Sequence, residues 1–183
     1  MKNFGIGKNY TTKVTLSWAE DKEAQGYEIE QYKSKKWKKI ATINSGTAKT
    51  RTVKKLKPGN TYQFRIRAYK KVDGKNIYTQ YTTLKVMTTP SKVKVTGVSA
   101  GKKAVTLKWK NIKASGYEIQ CCTSKKFKKN VKTVTVKKGR KMATVKKLKG
   151  GRTYYVRVRA YSKVNGMKYS GAWSKVSRVY VKE

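Results

Sequence analysis

The chain repeats itself. Gly26-Tyr27-Glu28-Ile29 returns as Gly116-Tyr117-Glu118-Ile119, and Ser34-Lys35-Lys36-Trp37-Lys38-Lys39 returns as Ser124-Lys125-Lys126-Phe127-Lys128-Lys129, both at an offset of 90. Further on, Thr61-Tyr62 with Arg65-Ile66-Arg67-Ala68-Tyr69 returns as Thr153-Tyr154 with Arg157-Val158-Arg159-Ala160-Tyr161, at an offset of 92. A chain of 183 residues holding two such copies is built from two small domains, each with its own core. The repeat places them at 1–89 and 90–183. Between them Thr88-Thr89-Pro90-Ser91-Lys92 is short and proline-stiffened, which predicts an extended pair with limited bending.

Each copy reads as β throughout. Val14, Leu16 and Trp18 alternate with Thr15 and Ser17, and Val105, Leu107 and Trp109 alternate with Thr106 and Lys108, the period of a strand that buries one face. Tyr62, Phe64, Ile66 and Ala68 alternate in the same way with Gln63, Arg65 and Arg67. Turn chemistry falls between the runs, at Pro58-Gly59, Asp73-Gly74, Gly150-Gly151 and Asn165-Gly166. Short strands at regular spacing with no helical period predict an all-β sandwich, because a sheet must bury its apolar face against another layer.

Composition removes most chemistry. There is no histidine, and 47 Lys plus Arg stand against 8 Asp plus Glu, a formal charge of +39. Without imidazole there is no Ser/His/Asp or Cys/His nucleophile pair and no His-based metal site, and eight carboxylates leave little for paired acid–base work. The two cysteines, Cys121 and Cys122, are adjacent, so they read as free thiols on opposite faces of a strand rather than a disulfide framework. Gly97-Val98-Ser99-Ala100-Gly101-Lys102 imitates a phosphate loop with wrong glycine spacing, and Lys103 stands where Ser or Thr belongs. Glu20, Asp21 and Glu23 lack the alternating oxygen ligands and glycine turn of a calcium loop. The chain is therefore expected to be no enzyme and to carry no catalytic residue, metal or cofactor.

Taken together these residues resemble tandem fibronectin type III domains, of the Lys-rich kind found in surface proteins of Gram-positive bacteria. The resemblance rests on the strand B tryptophan (Trp18, Trp109), the strand C tyrosine (Tyr27, Tyr117), the leucine entering the E to F corner (Leu56, Leu148) and the strand F tyrosine of Thr-Tyr-x-x-Arg-x-Arg-Ala (Tyr62, Tyr154). The last looks like the tyrosine corner, whose hydroxyl is expected to bond the backbone a few residues upstream. It implies that strand C pairs with strand F, which sets Glu28 and Glu30 opposite Arg65 and Arg67, and Glu118 opposite Arg157 or Arg159. Val93, Val95 and Val98 supply a strand A in the second copy. The first has only Phe4 and Ile6 ahead of strand B, so its strand A is doubtful: either the sandwich is frayed there, or the chain is cut from a longer array whose upstream part carried a secretion signal. Arg-Gly-Asp is absent, so integrin-type adhesion has no support.

The same resemblance says where the lysines go. The turn after strand C and the E to F corner lie at one pole of such a module, so Lys35, Lys36, Lys38 and Lys39 are expected beside Lys54, Lys55 and Lys57. In the second copy Lys125, Lys126, Lys128 and Lys129 are expected beside Lys146, Lys147 and Lys149. Like charges repel by about 1 kcal/mol at 4 Å even in water, which favours occupation of these poles by a polyanion. Trp37 and Phe127 sit inside the runs and either turn inward to cap the sandwich or stack a base or sugar beside anionic contacts. Charge is uneven as well: residues 1–90 hold 20 basic and 6 acidic residues, a net +14, and residues 91–183 hold 27 and 2, a net +25.

The resemblance thus implies an extracellular or cell-surface spacer and adhesion module. Its expected partners are an anionic cell-wall polymer, a glycan or a protein, and neighbouring domains of a larger surface protein, with nucleic acid ranked below them. The alternative is a general polyanion or nucleic-acid binder whose charge is its function. No run of 18 apolar residues exists, so no membrane insertion is expected, and Met1 to Tyr10 lacks the apolar stretch of a signal peptide.

Overall fold

A computed structural model describes residues 2–164 and 166–183. The chain divides into two compact units, Met1–Thr88 and Thr89–Glu183. The first contains β1 (Gly5–Asn9), β2 (Val14–Ser17), β3 (Gly26–Lys33), β4 (Lys36–Ile43), β5 (Thr50–Val53), β6 (Thr61–Val72), β7 (Lys75–Tyr78) and β8 (Thr82–Met87). The second contains β9 (Val95–Gly101), β10 (Ala104–Trp109), β11 (Gly116–Cys122), β12 (Lys132–Lys137), β13 (Met142–Val145), β14 (Arg152–Val164), β15 (Met167–Ser170) and β16 (Ser177–Val181).

In each unit a three-stranded antiparallel sheet faces a larger one. The first unit has β1-β2-β5 against β4-β3-β6-β7, and β8 pairs the first half of β6. The second has β9-β10-β13 against β12-β11-β14-β15, with β16 pairing β14. The alternation read from sequence fills the space between the sheets: Val14, Leu16, Tyr27, Ile29, Phe64, Ile66 and Val86 are fully buried in one core, and Val105, Leu107, Tyr117, Ile119, Val156, Val158 and Val181 in the other. Trp18 meets Tyr27 at 5.3 Å between ring centroids and Trp109 meets Tyr117 at 5.1 Å, so the repeated pair forms the same aromatic contact twice.

The repeated glycine of Gly-Tyr-Glu-Ile has a steric cause. A Cβ on Gly26 would come within 2.5 Å of the Tyr69 hydroxyl, and one on Gly116 within 2.6 Å of the Tyr161 hydroxyl. The Asp73-Gly74 hairpin forms as read, joining Val72 to Lys75 with φ of 49° and 76° at its two central residues. Of the Asn165-Gly166 turn, Asn165 lies outside the described residues.

The doubtful first strand is present. β1 pairs β2 from Gly5↔Ser17 to Asn9↔Val14 through an irregularity between Ile6 and Lys8. Phe4 and Ile6 pack on the core, and Asn9 Nδ2 donates to the Met87 carbonyl at 2.6 Å. An edge strand needs few apolar residues when its backbone is paired and its end is tied across to the last strand of the sandwich, so the apolar count under-reads it. The phosphate-loop imitation lies along β9 and the turn after it, away from any strand-to-helix junction.

Candidate functional site

Both tyrosine corners form. The Lys57 amide donates to the Tyr62 hydroxyl at 2.7 Å, and the Lys149 amide to the Tyr154 hydroxyl at 2.9 Å. Each fixes a lysine-bearing corner whose leucine, Leu56 or Leu148, is buried, and whose preceding lysine, Lys55 (φ 60°) or Lys147 (φ 57°), lies in the left-handed region. The Leu56 amide donates to Thr12 O and the Leu148 amide to Lys103 O, both at 2.9 Å, which adds the turn between the first two strands of each sandwich to the same pole. In the first unit Thr88, the last residue of the unit, donates from Oγ1 to the Lys57 carbonyl at 2.7 Å.

The lysine runs do not behave alike. In the first unit Ser34 (φ 54°) and Lys35 (φ 61°) make a two-residue turn, and Lys36, Trp37, Lys38 and Lys39 run up β4. Lys39 leaves the pole and pairs with Glu28 at 3.1 Å, while Lys54 lines a separate cleft of about 490 Å³ with Ile40 and Arg51. In the second unit the last ladder pair is Cys121↔Lys132, so Lys125, Lys126, Phe127, Lys128 and Lys129 occupy an exposed loop instead of a strand. The span from the strand C tyrosine to its partner, Tyr27↔Ile43 or Tyr117↔Val136, is longer by three residues in the second copy.

A cleft of about 360 Å³ lies beside this loop at the second basic pole. It is lined by Asn130, Lys132, Lys147, Lys149 and Arg152, with Cys121, Thr123, Leu148 and Tyr154, and none of these is acidic. Lys132 also donates from Nζ to the Lys146 carbonyl. Burial, reinforced by Cys122, pushes the Cys121 thiol up to about 12, so it stays neutral and adds no negative charge. Of the lysines singled out from sequence only Lys147 and Lys149 line this cleft. Lys132 and Arg152 were missed because each follows the lysine runs by several residues and reaches the pole through strand pairing, which residue spacing does not display.

Trp37 and Phe127 do not cap the sandwich. The Arg65 guanidinium lies over the Trp37 ring at 4.6 Å and Tyr32 meets that ring at 5.3 Å, while Arg157 lies over Phe127 at 4.0 Å. Both aromatics sit on the outer face of the larger sheet, where a cation–π contact with a strand F arginine replaces core burial.

The carboxylates are placed as expected. Glu28 stands opposite Arg67 and Glu30 opposite Arg65, and Glu118 stands opposite Arg159. Burial would raise the Glu28 carboxyl, but hydrogen bonds from Arg67 and Lys39 hold it below its ordinary value; Lys168 and Arg159 do the same for Glu118. Glu20 pairs with Lys49 at 2.8 Å, Glu23 with Lys70 at 3.8 Å, and the Asp21 carboxylate accepts from the Glu23 amide, so this loop is engaged with its own chain. Among the described residues no group of three or more acids or cysteines is arranged to hold a metal.

These features define tandem β-sandwich modules. The chain belongs to the fibronectin type III domain family, which it matches over residues 2–83 and 88–177. It is similar in structure to a two fibronectin type III domain segment from chicken tenascin, at 16% identity over 98% of both chains and a TM-score of 0.54. It also resembles the FN1–FN3 domains of chicken CNTN1, at 15% identity over 100% of this chain and 67% of that one, with a TM-score of 0.49. Among curated proteins none matches it in sequence. Modules of this family commonly serve as extracellular spacers or adhesion units and are typically non-catalytic. Among the described residues no helix is long and apolar enough to cross a membrane.

Proposed function

We propose that modules 1–89 and 90–183 form a non-catalytic spacer and adhesion unit of a Gram-positive surface protein, and that their lysine poles hold an anionic polymer such as wall teichoic acid or a glycosaminoglycan. The observation that carries the reading is the second module's cleft, where four cationic side chains converge with no acid. Such a concentration of like charge is relieved by a polymer that brings several anions at once, and each phosphate or sulfate neutralised releases counterions. The first module contributes Lys35, Lys36, Lys38, Lys54, Lys55 and Lys57, all exposed.

The test is binding of the full chain to heparin, wall teichoic acid and duplex DNA of matched charge density, from low salt to beyond about 0.15 M. One polymer is expected to persist where the others release. The double reversal Lys147→Glu/Lys149→Glu should weaken it more than tenfold, and Lys94→Glu/Lys175→Glu, which changes net charge equally away from the cleft, should weaken it far less. If all three polymers release together, or both reversals cost the same, the chain is a generic polyanion binder and the specific reading fails.

A further inference from the structure

The outer faces of the two larger sheets are related copies that differ in charge: the first carries two carboxylates, Glu28 and Glu30, and the second carries Glu118 alone at the matching positions. In the first module donors and acceptors balance. Arg65 Nε donates to Glu30 Oε2 at 2.7 Å, the Tyr81 hydroxyl donates to Glu30 Oε1 at 2.8 Å, and Arg67 donates to Glu28. Tyr81 lies between the arginines, its ring 3.8 Å from the Arg65 guanidinium and 4.6 Å from that of Arg67.

In the second module Glu118 keeps its arginine, Arg159, and takes Lys168 where Glu28 takes Lys39. The counterpart of Glu30, however, is Gln120. Arg157 donates from Nε and Nη2 to the Gln120 carbonyl oxygen at 2.9 and 2.6 Å, contacts that satisfy geometry but bring no negative charge. Gln120 meets Arg157 as a neutral acceptor and, unlike Glu30, also carries an amide NH2 donor. The residue in the place of Tyr81 is Trp173, whose indole can only donate.

Arg157 is held between two rings, Phe127 at 4.0 Å and Trp173 at 4.5 Å. Burial lowers its affinity for its proton, Cys122 opposes that effect and Arg159 reinforces it. Among the described residues Arg157 makes no ion pair, whereas Arg65 is paired at 2.6 Å. A half-buried guanidinium whose opposite carboxylate is replaced by a neutral amide lacks its countercharge.

We propose that Arg157, Gln120 and Trp173 bind a single oxyanion group, a carboxylate, sulfate ester or phosphate ester, on the outer face of the second module, supplying the negative charge that Glu30 supplies in the first. This face is separate from the lysine-lined cleft, so polymer binding there can fail while this site stands.

The experiment follows the arginine Nε–Hε resonances of the full chain during titration with acetate, sulfate or methyl phosphate at ionic strength fixed with chloride, Arg157 being assigned through Arg157→Lys. The Arg157 resonance is expected to shift saturably and at least threefold more than that of Arg65, and the three anions rank the preferred group. Gln120→Glu, which installs an internal carboxylate, should abolish the response. Glu30→Gln should make Arg65 respond, a gain that serves even if Gln120→Glu fails to fold. An Arg157 resonance that tracks Arg65, or a Gln120→Glu chain that responds like the native one, overturns the proposal.

Discussion

The two modules carry the same six-residue lysine motif on different backbones. In the first it bends through a two-residue turn and enters β4; in the second it lies in a loop, and β12 starts only at Lys132. The aromatic nonetheless reaches the same partner in both, Arg65 or Arg157. The tertiary contact is kept while the secondary structure around it changes. A side chain that only needs to cover a guanidinium tolerates either backbone, whereas a core position such as Tyr27 or Tyr117 has one register and keeps it. The three extra residues of the second copy are accommodated at the pole, in the loop whose Thr123 and Asn130 line the cleft.

The largest test of this comparison is whether the cores are independent. Trp109 is 2% exposed and packs on Tyr117, so Trp109→Ala should cost about 3–5 kcal/mol through lost burial and a cavity. In calorimetry the transition of the second module should fall steeply and that of the first should stay. A common shift of both would mean that the units do not unfold as separate cores.

Next in size is the pairing on the outer faces. Glu118 accepts from Arg159 and Lys168, and Glu118→Gln should cost about 2 kcal/mol at neutral pH, the range for hydrogen bonds to charged groups. The pH dependence has a definite sign. Glu28 and Glu118 are held below their ordinary value of 4.5 in the folded chain, so the unfolded chain takes up protons first as pH falls. Their stabilisation is complete above pH 4.5 and is lost as pH drops through the lowered folded values. Urea unfolding at pH 7 and pH 3 should show a loss on acidification that shrinks in Glu28→Gln and again in the double variant with Glu118→Gln. An unchanged acid dependence in those variants would remove both carboxylates from the account.

The sandwich was legible because its signals are periodic and stated twice: alternation placed Val14, Leu16, Phe64 and Ile66 inside, and the offset of 90 to 92 located the copies. The C to F pairing, and with it Glu28 to Arg67, followed from the resemblance. Strand β1 was harder to read because backbone bonds and the Asn9 contact leave no apolar pattern, and Phe4 and Ile6 are too few to make one. The site was legible only in part. Lysine counts pointed to the poles, but Lys132 and Arg152 arrive by strand register, and the loop around Phe127 depends on an insertion that the matching Ser-Lys-Lys-x-Lys-Lys motif conceals. The change from Glu30 to Gln120 was visible in the sequence as a single letter; its meaning required the arginine opposite it.

The smallest predicted effect probes the corner that presents the lysines. Tyr62 and Tyr154 each accept one backbone N–H, from Lys57 and Lys149, and removing the hydroxyl should cost about 1 kcal/mol per module. In Tyr154→Phe the amide of Lys149 should exchange with solvent faster, and the second corner, with Lys147 already left-handed at φ 57°, should loosen beside the cleft. In Tyr62→Phe the same release occurs, but Thr88 Oγ1 still holds the Lys57 carbonyl, so the first corner should loosen less. Amide exchange of Lys57 and Lys149 in the two variants measures that difference. Equal acceleration would mean that the Thr88 bond adds nothing to the first corner, and that the two poles differ only in their C-strand loops.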